Sequence, residues 1–327
     1  MRVRGNTVLI PTDVYDSYWT FATKRQAMFI SRVHGAPAPW TSDPILANHR
    51  FTNAYRASDR VSQYLIRNVI YAGPQTAEDV FFRTMLFKIF NKIETWETLI
   101  AHMGEVKYAG FDYGRAAQIL DAQMQDGKAI YSAAYIMPQP RFNQPSKHRN
   151  HLCLLEYAMR EGMPHKIAVA NSLEQVYRLL LSLPSFGRFL SFQMAIDLNY
   201  SEMIDFSEMD FVVAGPGAQR GIQKCFVAGH GLSDQEVIQV MADRADQEFE
   251  RLGLNFQSLW GRPLQLIDCQ NLFCEVDKYA RVAYPHLGNG AERTRIKQKY
   301  TKPLGRLPQW YPPKWRINDK LEKWLPE

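Results

Sequence analysis

A break between two amphipathic helical runs constrains this chain more than any other feature. Residues 173–221 read LEQVYRLLLSLPSFGRFLSFQMAIDLNYSEMIDFSEMDFVVAGPGAQRG. Pro184 cannot continue a helix, and Gly187 permits the positive φ of a tight reversal, so the stretch predicts helix, hairpin, helix. The second helix starts at Arg188 with unpaired backbone N–H groups beside the turn, an arrangement suited to an anion such as a DNA phosphate. Ser185, Phe186, Gly187 and Arg188 are therefore candidate DNA contacts. Roughly twenty residues further on, Asp210 supplies a carboxylate.

The rest of the sequence is long and apolar enough to bury a sizeable core in one large domain or two lobes: 327 residues, 46% hydrophobic and 13% aromatic. No apolar run reaches the ~18 residues of a membrane span, and the apolar part of MRVRGNTVLIPTD is too short for a signal peptide, so a cytoplasmic protein with no membrane partner is expected. Cys153, Cys225, Cys269 and Cys274 form no CxxC pair and are expected as reduced thiols. His148, His151 and Cys153 lie together but fall short of the four ligands of a structural zinc site, so neither a metal nor a cofactor is expected.

Charge is distributed unevenly. The net charge is +6, and the segment 291–327 holds ten Lys/Arg against four acids, which accounts for the whole excess. Interleaved with Tyr300, Trp310, Tyr311 and Trp315, this tail suits phosphates and exposed bases. The alternative is a basic surface strap packed by its aromatics.

Helices are expected over Val14–Val33, Arg50–Tyr71, Ala77–Phe90 with Thr76 as cap, Tyr113–Asp126, Leu152–Arg160 and Leu264–Tyr284. Ser172 with Gln175, and Ser233 with Glu236, are capping-box patterns, the second opening a helix to about Leu252. A short strand is expected over Phe211–Ala214, and the Pro- and Tyr-rich stretch after Asp126-Gly127 reads as a loop. On the helix from Arg50, the spacing of Asn53, Arg56 and Arg60 places them on one face, which fits either DNA phosphates or a solvated surface with Asp59 as partner. Tyr55 is a candidate to stack on a base. Lys88 and Asn91 are candidates to reach a substrate pocket, although a lysine there also reads as snorkelling to solvent.

GPGAQRG has the wrong glycine spacing for a dinucleotide fingerprint, and no G-x-x-x-x-G-K-S/T motif is present. Gly215 and Gly217 are candidates for close approach of the backbone to DNA, with Arg220 meeting a phosphate; a plain turn before a helix is the alternative. Glu275 and Lys278, three apart on one helical face, are either site residues or a structural ion pair.

The run LPSFG, a helix, and then an aspartate resemble the helix-hairpin-helix DNA glycosylases, whose hairpin reads LPGVG. Ser185 and Phe186 depart from that pattern, and Phe189 stands where bifunctional members carry a Schiff-base lysine. The segments RFTNAYRASDRVSQYLI, FFRTMLFKIFNKIETWE, DFVVAGPGAQRGIQKCF and QNLFCEVDKYAR resemble the helical DNA base hypermodification family. That family spans the helical module of hydroxymethyluracil DNA kinases, phage thymine hypermodification proteins and anti-phage glycosylases. The two resemblances imply a mainly α, helix-hairpin-helix DNA glycosylase-like fold with two helical lobes around a DNA-binding cleft. The expected segments are 1–160, 161–290 and a basic tail, 291–327.

On this reading the expected activity is monofunctional excision of a flipped, modified pyrimidine from double-stranded DNA, with glucosylated 5-hydroxymethylcytosine of phage DNA as the target, no lyase step, and a monomeric enzyme in anti-phage defence. Asp210, with Glu275 second, is the expected catalytic acid. A carboxylate ~4 Å from an oxocarbenium-like centre stabilises it by about 4 kcal/mol at an effective dielectric near 20. Arg50, Asn53, Arg56, Arg60, Gly215, Gly217, Arg220 and Lys278 join the hairpin as DNA contacts, with Tyr55, Lys88 and Asn91 at the base. The alternatives are a hypermodification transferase acting on activated 5-hydroxymethyluracil, and a DNA-binding helical module without catalysis.

Overall fold

The structure is a computed structural model and describes residues 8–287, 295–301 and 308–322. It is mainly α. In chain order the helices are α1 (Asp13–Val33), α2 (Pro44–Asn48), α3 (Arg60–Tyr64), α4 (Ala77–Phe90), α5 (Ile93–Met103), α6 (Tyr113–Gln125), α7 (Lys147–Arg160), α8 (Met163–Ala168), α9 (Leu173–Leu181), α10 (Arg188–Leu198), α11 (Pro216–Cys225), α12 (Asp234–Arg251), α13 (Leu266–Ala283) and α14 (Asn318–Glu322). A π-helix, Leu65–Ile70, continues α3. Among the described residues there is no strand, only isolated bridges, so the short strand expected over Phe211–Ala214 does not form. Two compact units interleave in sequence: Met1–Asp59 with Val212–Gln309 and Trp315–Glu327, and Arg60–Phe211 with Trp310–Lys314.

The first unit is built on α13, which buries residues on all sides of its axis, among them Leu266, Cys269, Leu272, Phe273 and Val276. Helix α1 lies against it through a cluster of edge-on and tilted rings. Trp19 stands 4.9 Å from Tyr18 and 5.2 Å from Phe249, and Tyr18 stands 4.8 Å from Phe273. Such pairs add roughly 0.5–1.5 kcal/mol each beyond the area they bury.

Helix α11 crosses α13 at backbone contact. Gly217 and Gly221 are four residues apart and share a helical face. A Cβ on Gly221 would lie 2.1 Å from the carbonyl oxygen of Phe273, and one on Gly217 would lie 2.3 Å from Cys274 Sγ. The glycines of GPGAQRG thus serve helix packing, while Gly215 is the N-cap of α11 and Pro216 its first residue.

In the second unit, α9 and α10 form the expected helix-turn-helix. Its turn differs in one respect: Ser185 takes the left-handed conformation, at φ 66°, and Gly187 is extended, at φ −88° and ψ 169°. The reversal is closed by the Phe186 N–H donating to Leu183 O at 3.1 Å. Phe186 fills the core at 6% exposure, which fixes the turn at the residue before it. The C-terminal end of the π-helix is held by the buried Arg83 guanidinium, which donates to Val69 O at 2.8 Å and to Ile70 O at 3.0 Å. Those carbonyls lie at a helix end, where intrahelical donors are missing.

The helix expected over Arg50–Tyr71 begins only at Arg60. Residues 51–59 are irregular apart from a 3₁₀ turn, Arg56–Ser58, because their N–H groups are claimed by carboxylates. Thr52 N–H donates to Glu275 Oε2 at 3.0 Å, Asn53 N–H to Asp59 Oδ1 at 2.8 Å and Arg56 N–H to Asp268 Oδ1 at 2.8 Å. Side chains that bond the backbone in this way displace the helical ladder.

Within the basic tail, residues 308–322 include packed side chains. Tyr311 is fully buried, and Lys314 Nζ donates to Ser201 O at 2.7 Å and Ile204 O at 2.6 Å. Arg262 lies 3.8 Å over the Trp315 ring, and Lys320 donates to Trp260 O at 3.2 Å. Arg293, Lys302, Arg306 and Lys323 lie outside the described residues.

Gly221→Ala sets a Cβ against fixed backbone, whereas Gly217→Ala meets a side chain that can rotate. Overpacking typically costs ~1–3 kcal/mol; we expect Gly221→Ala to reach or exceed that range and Gly217→Ala to fall within it. Denaturant midpoints of the two variants check the ranking.

Candidate functional site

The second unit gathers an ionic cluster under an aromatic pair. Lys88, near the end of α4, places Nζ 3.0 Å from Asp197 Oδ2 on α10 and 3.2 Å from Asn91 Oδ1. Their side chains are 10% and 1% exposed for Lys88 and Asp197. Asn91 closes α4 in the left-handed conformation, φ 48°, and is itself buried. Over the ammonium, at 4.6 Å from its centroid, sits the ring of Tyr135, which stacks parallel to Phe189 at 5.7 Å with an interplanar angle of 1°. Both rings are half-buried.

Tyr135 is carried by the Pro- and Tyr-rich loop at φ 55°, a conformation that costs a non-glycine residue of order 1 kcal/mol or more. Helix α7 holds that loop. His151 Nε2 donates to Pro138 O at 2.9 Å, and the Tyr131 hydroxyl donates to His151 Nδ1 at 2.8 Å. Burial pushes the His151 pKa down to about 4, so the ring is neutral and its hydrogen bonds fix the tautomer. His148 pairs with Asp121 at 2.8 Å. Both histidines are thus engaged in packing.

The hairpin lies on the same α10. Gly187 and Arg188 are exposed, Ser185 is half-buried, and the N-terminus of α10 has no side-chain cap. Asp210 is exposed in a bend, with its N–H on Ser207 O at 3.3 Å. The neighbouring Phe211 anchors that bend to both hairpin helices, 5.1 Å from Tyr177 and 5.9 Å from Phe192.

The residues expected to share one helical face do not: Arg60 opens α3 in the second unit and is exposed, whereas in the first unit Arg56 is buried and Asn53 is tied into a network. Asn53 Oδ1 accepts from Arg25 at 3.0 Å and its Nδ2 donates to Ser58 O at 2.8 Å. Tyr55 is a core residue, 1% exposed, whose hydroxyl donates to Arg262 O at 2.8 Å, so its ring is closed to a base. Glu275 pairs with Lys278 at 2.7 Å, and Lys278 also lies 4.5 Å over the Phe51 ring; this is the structural pair weighed from the sequence. Arg220 lies 3.3 Å from Asp277, alongside Lys224 at 2.8 Å and Arg281 at 2.5 Å. Burial alone would raise the Asp277 pKa, and hydrogen bonds from Lys224 and Arg281 outweigh it and hold it below the usual carboxylate range. Arg50 is exposed, and its N–H donates to Gln298 O at 3.0 Å.

Sequence reasoning missed Asp197 and Tyr135. The available signal for Asp197 was a lone acid in the apolar run RFLSFQMAIDL, since a charge in a buried helix requires a partner.

The chain is a member of the 5-hmdU DNA kinase helical-domain family, which matches residues 12–289. It is similar to the 5-hmdU DNA kinase of Bacillus phage SP10, with 26% identity over 288 residues, 81% of this chain and 45% of the kinase. The chain therefore spans about half the length of that relative. No solved structure matches. Membership corrects the expected activity: the relative is a kinase, a phosphotransferase, so the readings as a DNA glycosylase, as a hydrolase of N-glycosyl bonds and as an excising anti-phage enzyme are withdrawn. Among the described residues, no helix is long and apolar enough to cross a membrane.

Lys88→Met removes the ammonium from the buried Asp197 carboxylate, which we expect to cost ~3–5 kcal/mol. Lys88→Met combined with Asp197→Leu removes both charges and is expected to recover most of that loss. Equal stability of the single and double variants in urea unfolding would contradict the pairing.

Proposed function

We propose that this chain provides the DNA-handling part of a reaction at the 5-hydroxymethyl group of hydroxymethyluracil in DNA, as in the 5-hmdU DNA kinases. The family match over residues 12–289 carries this reading. Phosphoryl transfer requires a nucleotide cradle as well as a DNA site. The 327 residues hold no G-x-x-x-x-G-K-S/T motif, and the groups they do expose fit the DNA side.

The uncapped N-terminus of α10, with Gly187 and Arg188 exposed, suits a phosphate. The target nucleotide, swung out of the duplex, would stack on the half-buried rings of Tyr135 and Phe189 and meet the polar edge formed by Lys88 and Asn91. A hydroxymethyl group carries a donor and an acceptor that the methyl of thymine lacks. One added hydrogen bond is worth ~0.5–1.5 kcal/mol, or a two- to tenfold preference.

Fluorescence anisotropy with a duplex carrying one 5-hydroxymethyluracil and a matched thymine duplex tests this. The expected result is tighter binding of the modified duplex by about that factor, lost in Phe189→Ala. Equal affinity for the two duplexes would refute the reading.

A further inference from the structure

Away from the cluster of the second unit, one stretch of the first unit presents cations with no internal use. Residues 298–300 pair with 48–50 as a two-stretch antiparallel ribbon. His49 bridges Lys299, the Arg50 N–H donates to Gln298 O at 3.0 Å, and the Tyr300 N–H donates to Asn48 O at 3.0 Å. Ile296 anchors the ribbon at 7% exposure. Around it Arg295, Lys297, Lys299 and Arg50 are all exposed, as is Tyr300. No acid occurs in RIKQKYT or in NHRFTN. None of these four side chains makes an ion pair or hydrogen bond among the described residues.

Other basic residues contrast with these. Lys88, Arg220, Lys224, Lys278 and Arg281 are paired with carboxylates, and Lys314 with carbonyls. Like charges at neighbouring exposed positions repel one another weakly in water, and an anionic partner relieves that repulsion. Alternate residues of an extended chain are ~6.7 Å apart, so a row of cations at this spacing can follow an anionic backbone, and Tyr300 adds an exposed ring beside it.

The geometry points to this ribbon and the stretch leading into it, Arg295 and Lys297 followed by Lys299 with Arg50 beside it, as a rail for one strand of the DNA backbone, gripping it without reading sequence. The inference rests on the DNA-handling function and adds the surface that supplies affinity. Lysine and arginine contacts to phosphates release counterions, so each contact adds ~0.9 to the slope of log affinity against log salt on duplex DNA.

The test uses the full chain and a duplex carrying 5-hydroxymethyluracil, titrated between low and physiological salt. Arg295→Ala/Lys297→Ala/Lys299→Ala is compared with Lys107→Ala/Lys128→Ala/Lys166→Ala, which removes the same net charge from exposed positions of the other unit. The rail predicts a slope shallower by about 2.7 in the first variant, an accompanying loss of affinity, an unchanged preference for the modified base, and little effect in the second. Equal slopes in wild type and the rail variant, or equal losses in both variants, would overturn the rail and leave the DNA-handling function standing. Absence of DNA binding by the wild-type chain would overturn both.

Discussion

Three buried carboxylates on α13 organise the first unit. Asp268, Glu275 and Asp277 are 4%, 7% and 1% exposed, and a carboxylate so placed is stable only if donors are brought to it. Asp268 accepts the N–H groups of Gln265 and Arg56. Glu275 accepts Thr52 N–H and the Lys278 ammonium, and Asp277 collects Lys224, Arg220 and Arg281. Satisfying these acids draws residues 52–56 out of the helix their sequence favours and binds α11 to α13. The close approach of those two helices in turn requires Gly217 and Gly221.

Legibility of the fold followed the range of its interactions. Caps written in neighbouring residues were readable: Thr76 accepts Asp79 N–H, and Ser233 and Glu236 form a full capping box. The hairpin was readable from Pro184, but the left-handed residue proved to be Ser185, because burial of Phe186 fixes the reversal one residue earlier than glycine chemistry alone suggests. The segment after Arg50 was misread as helix because its competitors lie far away in sequence, Glu275 being 223 residues from Thr52 and Asp268 being 212 from Arg56. Periodicity within a window carries no information about such partners. The sequence singles out Lys88 and Asn91, but their contact with Asp197 depends on α4 and α10 coming together.

The pattern of hairpin, helix and aspartate does not by itself fix an excising activity. A turn that presents free N–H groups to phosphate serves any protein that holds DNA, whatever bond is then made or broken. Its physics concerns the backbone of the nucleic acid. What relationship shows is the family: residues 12–289 match the helical domain of the 5-hmdU DNA kinases. Tyr135 and Phe189 beside Lys88 give an aromatic face and a polar edge in one place.

The central claim is that this chain holds modified DNA by the hairpin of one unit and the basic ribbon of the other. Hydrogen exchange of the full chain, with and without a saturating duplex carrying 5-hydroxymethyluracil, addresses it at peptide resolution. The account predicts slowed exchange at residues 183–191 and at 295–300. Unchanged exchange in both peptides, under conditions where the duplex is bound, would contradict it.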